Sequence, residues 1–156
     1  MANQKRIAAG DTAPDFKLKD NRGNEITLSE YRGKKVLLSW HPLAWTGVCA
    51  EQMKSLENNL AEFKRLNTVP LGLSIDAYPI KNAWAKELQV AEVKLLSDFW
   101  PHGGVAQEYG LFRDVEGFSE RANVIVDENG KVIWVKVYDI PQLPDIDEVL
   151  EVLRKA

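Results

Sequence analysis

Two periodicities divide this chain. Val36 to Trp40 is apolar except for Ser39, and Val69 to Ile75 reads as a second buried run. Runs of this kind suit central strands covered on both faces. Between them Met53, Leu56, Leu60, Phe63 and Leu66 recur at steps of three and four. That spacing predicts a helix from Gly47 to Leu66 with one apolar stripe. Pro79 opens a further helix with Ile80, Trp84 and Leu88 on one face, and proline suits a first helical turn. Near the N-terminus, Phe16-Lys17-Leu18 reads as a short strand, Asn21 to Asn24 as a turn and Ile26-Thr27 as extended chain. Ser29 to Gly33 reads as one helical turn closed by glycine. Lys94 to Ser97 is a brief strand, and Gly104 to Tyr109 a short helix stopped by Gly110. Ala122 to Val126 and Lys131 to Tyr138 pair as a hairpin across Asp127 to Gly130, where Asn129-Gly130 predicts a type I′ turn. The last helix, Asp145 to Lys155, buries Ile146, Val149, Leu150 and Leu153.

Strands and helices alternate in the middle of the chain, and a hairpin and a helix follow. The order predicts an α/β, thioredoxin-like fold with a central mixed β-sheet flanked by helices. The Val36–Ile75 crossover is expected to be right-handed. No repeat or linker interrupts the 156 residues, so 1–156 is expected to be a single domain. A net charge of −3 with no basic block argues against nucleic-acid binding. No apolar run reaches the roughly 18 residues of a membrane span. No apolar core follows Lys5 and Arg6, so a leader of the usual form is not expected and a cytoplasmic location is.

The count of one cysteine, Cys49, changes the picture most. It excludes an internal disulfide, a dithiol pair and a multi-cysteine zinc site. It leaves an inert buried thiol or a lone reactive one. Cys49 follows the end of a buried strand, through a proline-containing loop, at a helix start. In open α/β sheets ligands bind at this end of the strands. Thr46 is the expected N-cap, its hydroxyl accepting from the N–H three residues on, which is that of Cys49. The pair would be a capping box with a thiolate in place of the carboxylate. The helix dipole and its unpaired N–H groups favour that anion, and the thiolate is the nucleophile.

Pro42-x-x-x-Thr46-x-x-Cys49 resembles the peroxidatic motif of the peroxiredoxins, thiol-dependent hydroperoxide reductases. The likeness covers nearly the whole chain. Gly10 to Phe16, Leu28 to Gly33, Ser74-x-Asp76 with Trp84, and Ser119 to Ala122 are all similar to family segments. Leu95 to Gly103 resembles the one-cysteine alkyl hydroperoxide reductase E subgroup, and His41-Pro42 is similar to another one-cysteine group. The resemblance implies that Cys49 attacks the peroxide, that Arg121 favours the thiolate and holds the peroxide, that Thr46 hydrogen-bonds to either, and that Pro42 walls the pocket. Gln52 stands where the family often has glutamate and is expected to be tolerated. Trp45 replaces a usual phenylalanine. His41 either tunes Cys49 or packs at the strand end, and His102 reads as a loop or interface residue.

The resemblance implies no cofactor and no metal. With no second cysteine to resolve a sulfenic acid, it implies an external thiol: a low-molecular-weight thiol, a glutaredoxin-like protein or thioredoxin. Trp45, Trp100 and Phe112 suggest a homodimer contact near the pocket. A glutathione-peroxidase-like enzyme is a second redox reading, although its Trp-Asn-Phe-Thr segment is missing. From another class, the chain reads as a noncatalytic thioredoxin-fold peroxide sensor or binding module.

Overall fold

A computed structural model of the chain describes residues 5–156. The expectation about a leader in Met1 to Gly10 falls in part on residues 1–4, outside the described residues. The sheet is built outward from its most apolar strand. In chain order the elements are β1 (Lys17–Lys19), β2 (Glu25–Thr27), a 3-10 turn (Leu28–Tyr31), β3 (Lys35–Trp40), α1 (Gly47–Asn58) and α2 (Leu60–Arg65). They continue with β4 (Thr68–Ser74), α3 (Tyr78–Leu88), β5 (Lys94–Ser97), α4 (Gly104–Glu108), β6 (Phe112–Arg113) and β7 (Phe118–Ser119). The chain closes with β8 (Arg121–Val126), β9 (Val132–Tyr138) and α5 (Ile146–Lys155).

Seven strands form one sheet in the order β2-β1-β5-β4-β3-β8-β9. Strand β3 runs parallel to β4 and antiparallel to β8, so the sheet is mixed as expected. Period-two alternation sends β3 to two cores. Val36, Leu38 and Trp40 join one that includes Ala106, Tyr109 and Leu111 from the α4 region. Leu37 joins the other, with Met53 and Leu56 of α1, Trp84 of α3 and Leu150 of α5. Among the described residues no helix is long and apolar enough to cross a membrane.

Gly72 lets α1 lie close against the sheet. A Cβ there would sit 2.5 Å from Met53 Sδ and 2.9 Å from Leu95 Cδ2. Cys49 and Met53 are one helical turn apart, so this contact also sets the height of the cysteine above the sheet.

In its secondary-structure elements and turns the structure departs from the sequence expectations in four places. The helix expected from Gly47 to Leu66 breaks at Asn59, whose side-chain amide donates to the Ser55 carbonyl at 2.8 Å. Asparagine competes in this way for backbone partners and is a poor helix interior residue. In α3 the buried residues are Lys81, Trp84 and Ala85, while Ile80 is 49% exposed. The expected Ile80–Trp84–Leu88 stripe is thus rotated to put a lysine inside. At the hairpin Gly130 has φ +85° but Asn129 is not left-handed, so the turn is not type I′. Asp127 organises it, its carboxylate accepting from the N–H groups of Asn129 and Lys131, both at 2.9 Å. A small hairpin, β6–β7, was not expected from the sequence; its strands are two residues each, too short to show alternation.

Candidate functional site

The end of β3 and the start of β8 are neighbours because the two strands are antiparallel, with Trp40 opposite Ala122. Arg121, one residue earlier, therefore lies beside the end of β3. Helix α1 starts over the same edge and carries Cys49 and Gln52 three residues apart on one face. Sequence positions 39, 49, 52 and 121 are thereby brought together.

Cys49 is 0% exposed and Arg121 3%. Arg121 Nη1 donates to Cys49 Sγ at 3.2 Å and to Gln52 Oε1 at 2.8 Å. Its Nε donates to the Ile140 carbonyl at 2.8 Å. The guanidinium is thus fixed from both sides, as its rigid fork of donors allows. Gln52 Nε2 in turn donates to Ser39 Oγ at 2.8 Å and to the Trp40 carbonyl at 3.1 Å. The amide uses both ends. It accepts from the cation and donates to the strand, which a carboxylate at this position could not do.

Thr46 occupies the N-cap position, and its carbonyl accepts the first helical bond from Ala50 at 2.9 Å. The expected cap itself is not formed. No side chain caps α1: the Thr46 hydroxyl donates to the Leu43 carbonyl at 2.8 Å and accepts from no N–H of the helix. The capping-box pairing of Thr46 with Cys49 is corrected accordingly. The backbone N–H groups at the start of α1 are left without a side-chain cap, which suits them to an incoming anion or oxygen. Pro42 is buried in the same loop, whereas Trp45, Thr46 and Gly47 are exposed. Trp45 has φ +66°, an unfavourable region for a bulky residue.

One group escaped sequence reasoning. Lys81, 0% exposed, donates to Ser74 Oγ at the end of β4 and lies 3.2 Å from His41 Nε2. Ser74 Oγ donates to Asp76 Oδ2 at 2.6 Å, and the same oxygen accepts from the Ala44 N–H at 2.8 Å. His41 is also buried, packed on Trp84 with ring centroids 5.5 Å apart. Burial, with Lys81 and Arg121 nearby, holds its imidazole well below the usual histidine range, and so neutral. Its Nδ1 faces the Ser39 carbonyl at 3.4 Å, so His41 makes no hydrogen bond to Cys49 here. Burial pushes Lys81 down to about 7, against the pull of Asp76, Cys49 and Asp98. The one sequence signal was the i, i+3 spacing of Lys81 with Trp84. A charged residue on a helix face otherwise reads as solvent-exposed.

The surface aromatics also need correction. Trp45 and Trp100 are exposed, but Phe112 is half-buried, edge-on to His102 with ring centroids 5.8 Å apart. His102 Nε2 lies 2.6 Å from the Gly117 carbonyl, which ties it to the loop, as one of its two expected roles required. Among the described residues Tyr78, Ile80, Phe99, Val115 and Leu143 are the other exposed large apolar residues, and Tyr78, Phe99 and Trp100 line one shared cleft.

Residues 9–135 match the AhpC/TSA family. The chain is 42% identical over 132 residues to alkyl hydroperoxide reductase E of Mycobacterium tuberculosis, covering 84% of this chain and 86% of that protein. It is 34% identical over 151 residues to a mitochondrial thioredoxin-dependent peroxide reductase of Drosophila melanogaster, covering 91% of this chain and 64% of that one. The crystal structure of reduced Plasmodium vivax 2-Cys peroxiredoxin superposes with a TM-score of 0.86 at 29% identity, covering 94% of this chain and 80% of that one. The thioredoxin-like fold expected from the order of elements is therefore correct.

The double use of the Gln52 amide makes a prediction. Gln52→Glu turns the donor facing the Trp40 carbonyl into an acceptor. It is expected to lower stability by about 1–3 kcal/mol in urea unfolding at neutral pH. Unchanged stability would show that the bond to β3 contributes nothing.

Proposed function

The chain belongs to the AhpC/TSA family, the peroxiredoxins, and from that premise we propose that Cys49 is its peroxidatic residue, with Arg121, Thr46 and Pro42 completing the site. The protein is a thiol-dependent peroxidase. The observation that carries the site assignment is the Arg121 Nη1 to Cys49 Sγ hydrogen bond of 3.2 Å between two buried groups.

The chemistry follows from these positions. The Cys49 thiolate attacks the terminal oxygen of a hydroperoxide. The S–O bond forms as the O–O bond breaks, and the sulfur loses two electrons that the peroxide gains. The hydroxyl stays on sulfur as a sulfenic acid. The other oxygen leaves as alkoxide or hydroxide and takes a proton to become alcohol or water. Arg121 and the uncapped N–H groups at the start of α1 stabilise charge shifting onto the leaving oxygen. Donors already in place are worth most in a site closed to water. Thr46 Oγ donates to Leu43 and so keeps its lone pairs for the peroxide O–H. Pro42 contributes no N–H and shields the sulfur without competing for it.

With one cysteine in the sequence, regeneration draws on an external thiol. That thiol attacks the sulfenic sulfur and releases water, and a second thiol then reduces the mixed disulfide. A low-molecular-weight thiol, a glutaredoxin-like protein and thioredoxin all meet this requirement. A reducing compartment such as the cytoplasm supplies them. We further propose a homodimer, with Trp45, Phe99 and Trp100, respectively 53%, 53% and 80% exposed, in the contact.

Stopped-flow tryptophan fluorescence on the reduced protein tests the assignment. Hydrogen peroxide or an organic hydroperoxide is expected to oxidise Cys49 far faster than a free cysteine, and Cys49→Ser to give no signal. Arg121→Ala is expected to slow this step by about 10²–10³. Oxidation at the free-cysteine rate would reject the peroxidase site, and an unchanged rate in Arg121→Ala would remove Arg121 from it. Oxidation without turnover by any thiol donor would mark a sensor instead. For the assembly, light scattering is expected to give the dimer mass and Trp100→Asp a monomer; a wild-type monomer would overturn the dimer.

A further inference from the structure

A buried lysine is costly, because burial strips its ammonium of water. Helix α3 already has Trp84 and Ala85 to pack with, so packing alone does not call for Lys81. What Lys81 does is connect. On one side its ammonium reaches Ser74, then Asp76, then the Ala44 N–H; on the other it reaches His41. His41 and Ala44 flank Pro42 and Leu43 in the segment that leads to Thr46 and Cys49. One buried cation thus anchors the loop before the cysteine at two points, from the helix on the far side of β4.

We propose that Lys81 is a positioning residue for this loop, its charged ammonium holding His41 and Ala44 so that Pro42 and Thr46 stand correctly over Cys49. The proposal rests on the reading of Cys49 as the peroxidatic residue.

The charge matters to each link. An ammonium donates a stronger hydrogen bond than a neutral amine, and the Ser74 hydroxyl passes this polarisation to the Asp76 carboxylate. His41 is neutral and accepts at Nε2, and the bond it accepts weakens when the Lys81 ammonium becomes a neutral amine. The ionisable groups facing Lys81 are His41 from the end of β3, Cys49 from α1, Asp76 after β4 and Asp98 after β5. Arg121 from β8 acts on His41. The three acidic groups favour the ammonium, and burial opposes it more strongly, leaving Lys81 near 7. The sign follows. Below that pH Lys81 is charged and the loop is held; as the pH rises through it the proton leaves and the anchoring weakens. A thiolate is the attacking form of any cysteine, and rising pH favours it. The loss of the Lys81 charge therefore imposes a falling limb on the alkaline side.

The test is the pH dependence of single-turnover oxidation by hydrogen peroxide, from about pH 5 to about pH 9, for wild type, Lys81→Met and Ser74→Ala. Wild type is expected to give a bell. Lys81→Met is expected to be about tenfold slower at neutral pH and to lose the falling limb. Ser74→Ala keeps the ammonium but cuts its path to Asp76, and is expected to slow oxidation several-fold. A folded Lys81→Met with the wild-type rate and profile overturns the proposal. Should Lys81→Met not fold, a wild-type rate in Ser74→Ala overturns it. A wild type no faster than free cysteine removes the peroxidase reading, and this proposal falls with it. A fast wild type with an indifferent Lys81→Met removes only this proposal.

Discussion

The site depends on one hydrogen bond, from the Arg121 guanidinium to the Cys49 sulfur. An unpaired thiolate would be expensive in a place without water, and a permanent cation in contact with it changes the balance. Much of the surrounding structure serves to hold that contact. The antiparallel pairing of β3 with β8 brings Arg121 to the correct edge. Gly72 lets α1 settle low enough to present the sulfur. Gln52 and the Ile140 carbonyl fix the guanidinium from opposite sides, so the cation is aimed before any substrate arrives. Preorganisation of this kind avoids reorganisation at the moment of reaction.

Two polar systems meet beneath the loop that precedes Cys49. One is the Arg121–Gln52–Ser39 set, which joins β8, α1 and β3. The other is the Lys81–Ser74–Asp76 chain, which joins α3, β4 and the backbone of Ala44, with His41 between the systems. Buried networks rigidify when each member has a partner. The loop between them is short, contains Pro42, and accepts a left-handed tryptophan at position 45. Backbone strain persists where the surroundings overdetermine the conformation, and two anchored points within four residues do that.

Much of the fold was legible because it depends on long apolar runs. Strand β3 and the start of helix α3 appeared at their observed places to within a residue, from a continuous apolar run and from a proline suited to a first turn, although the buried face of α3 was misplaced. Cys49 stood out as the one cysteine, at a helix start, whereas Arg121 was legible only through the resemblance carried by Pro42 and Thr46. What was not legible depended on side chains choosing between nearby partners. Thr46 is a residue type that caps helices, but its hydroxyl turned to the Leu43 carbonyl before the helix rather than to the Cys49 N–H within it. Asn59 ended a helix whose hydrophobic stripe continued past it to Phe63. Asp127 took over a turn that Asn129-Gly130 would have made differently. Lys81 was hidden for a different reason: a charged residue inside a core can be recognised only once Ser74 and His41 are seen to meet it.

The central proposal is that the Arg121 guanidinium, donating to Cys49 Sγ at 3.2 Å, favours the thiolate in a closed site. Ultraviolet thiolate absorbance of the reduced protein at neutral pH, corrected with Cys49→Ser, measures this directly in wild type and Arg121→Met. The account predicts a thiolate band in wild type that is largely lost when the guanidinium is replaced. An equal band in both proteins would contradict it.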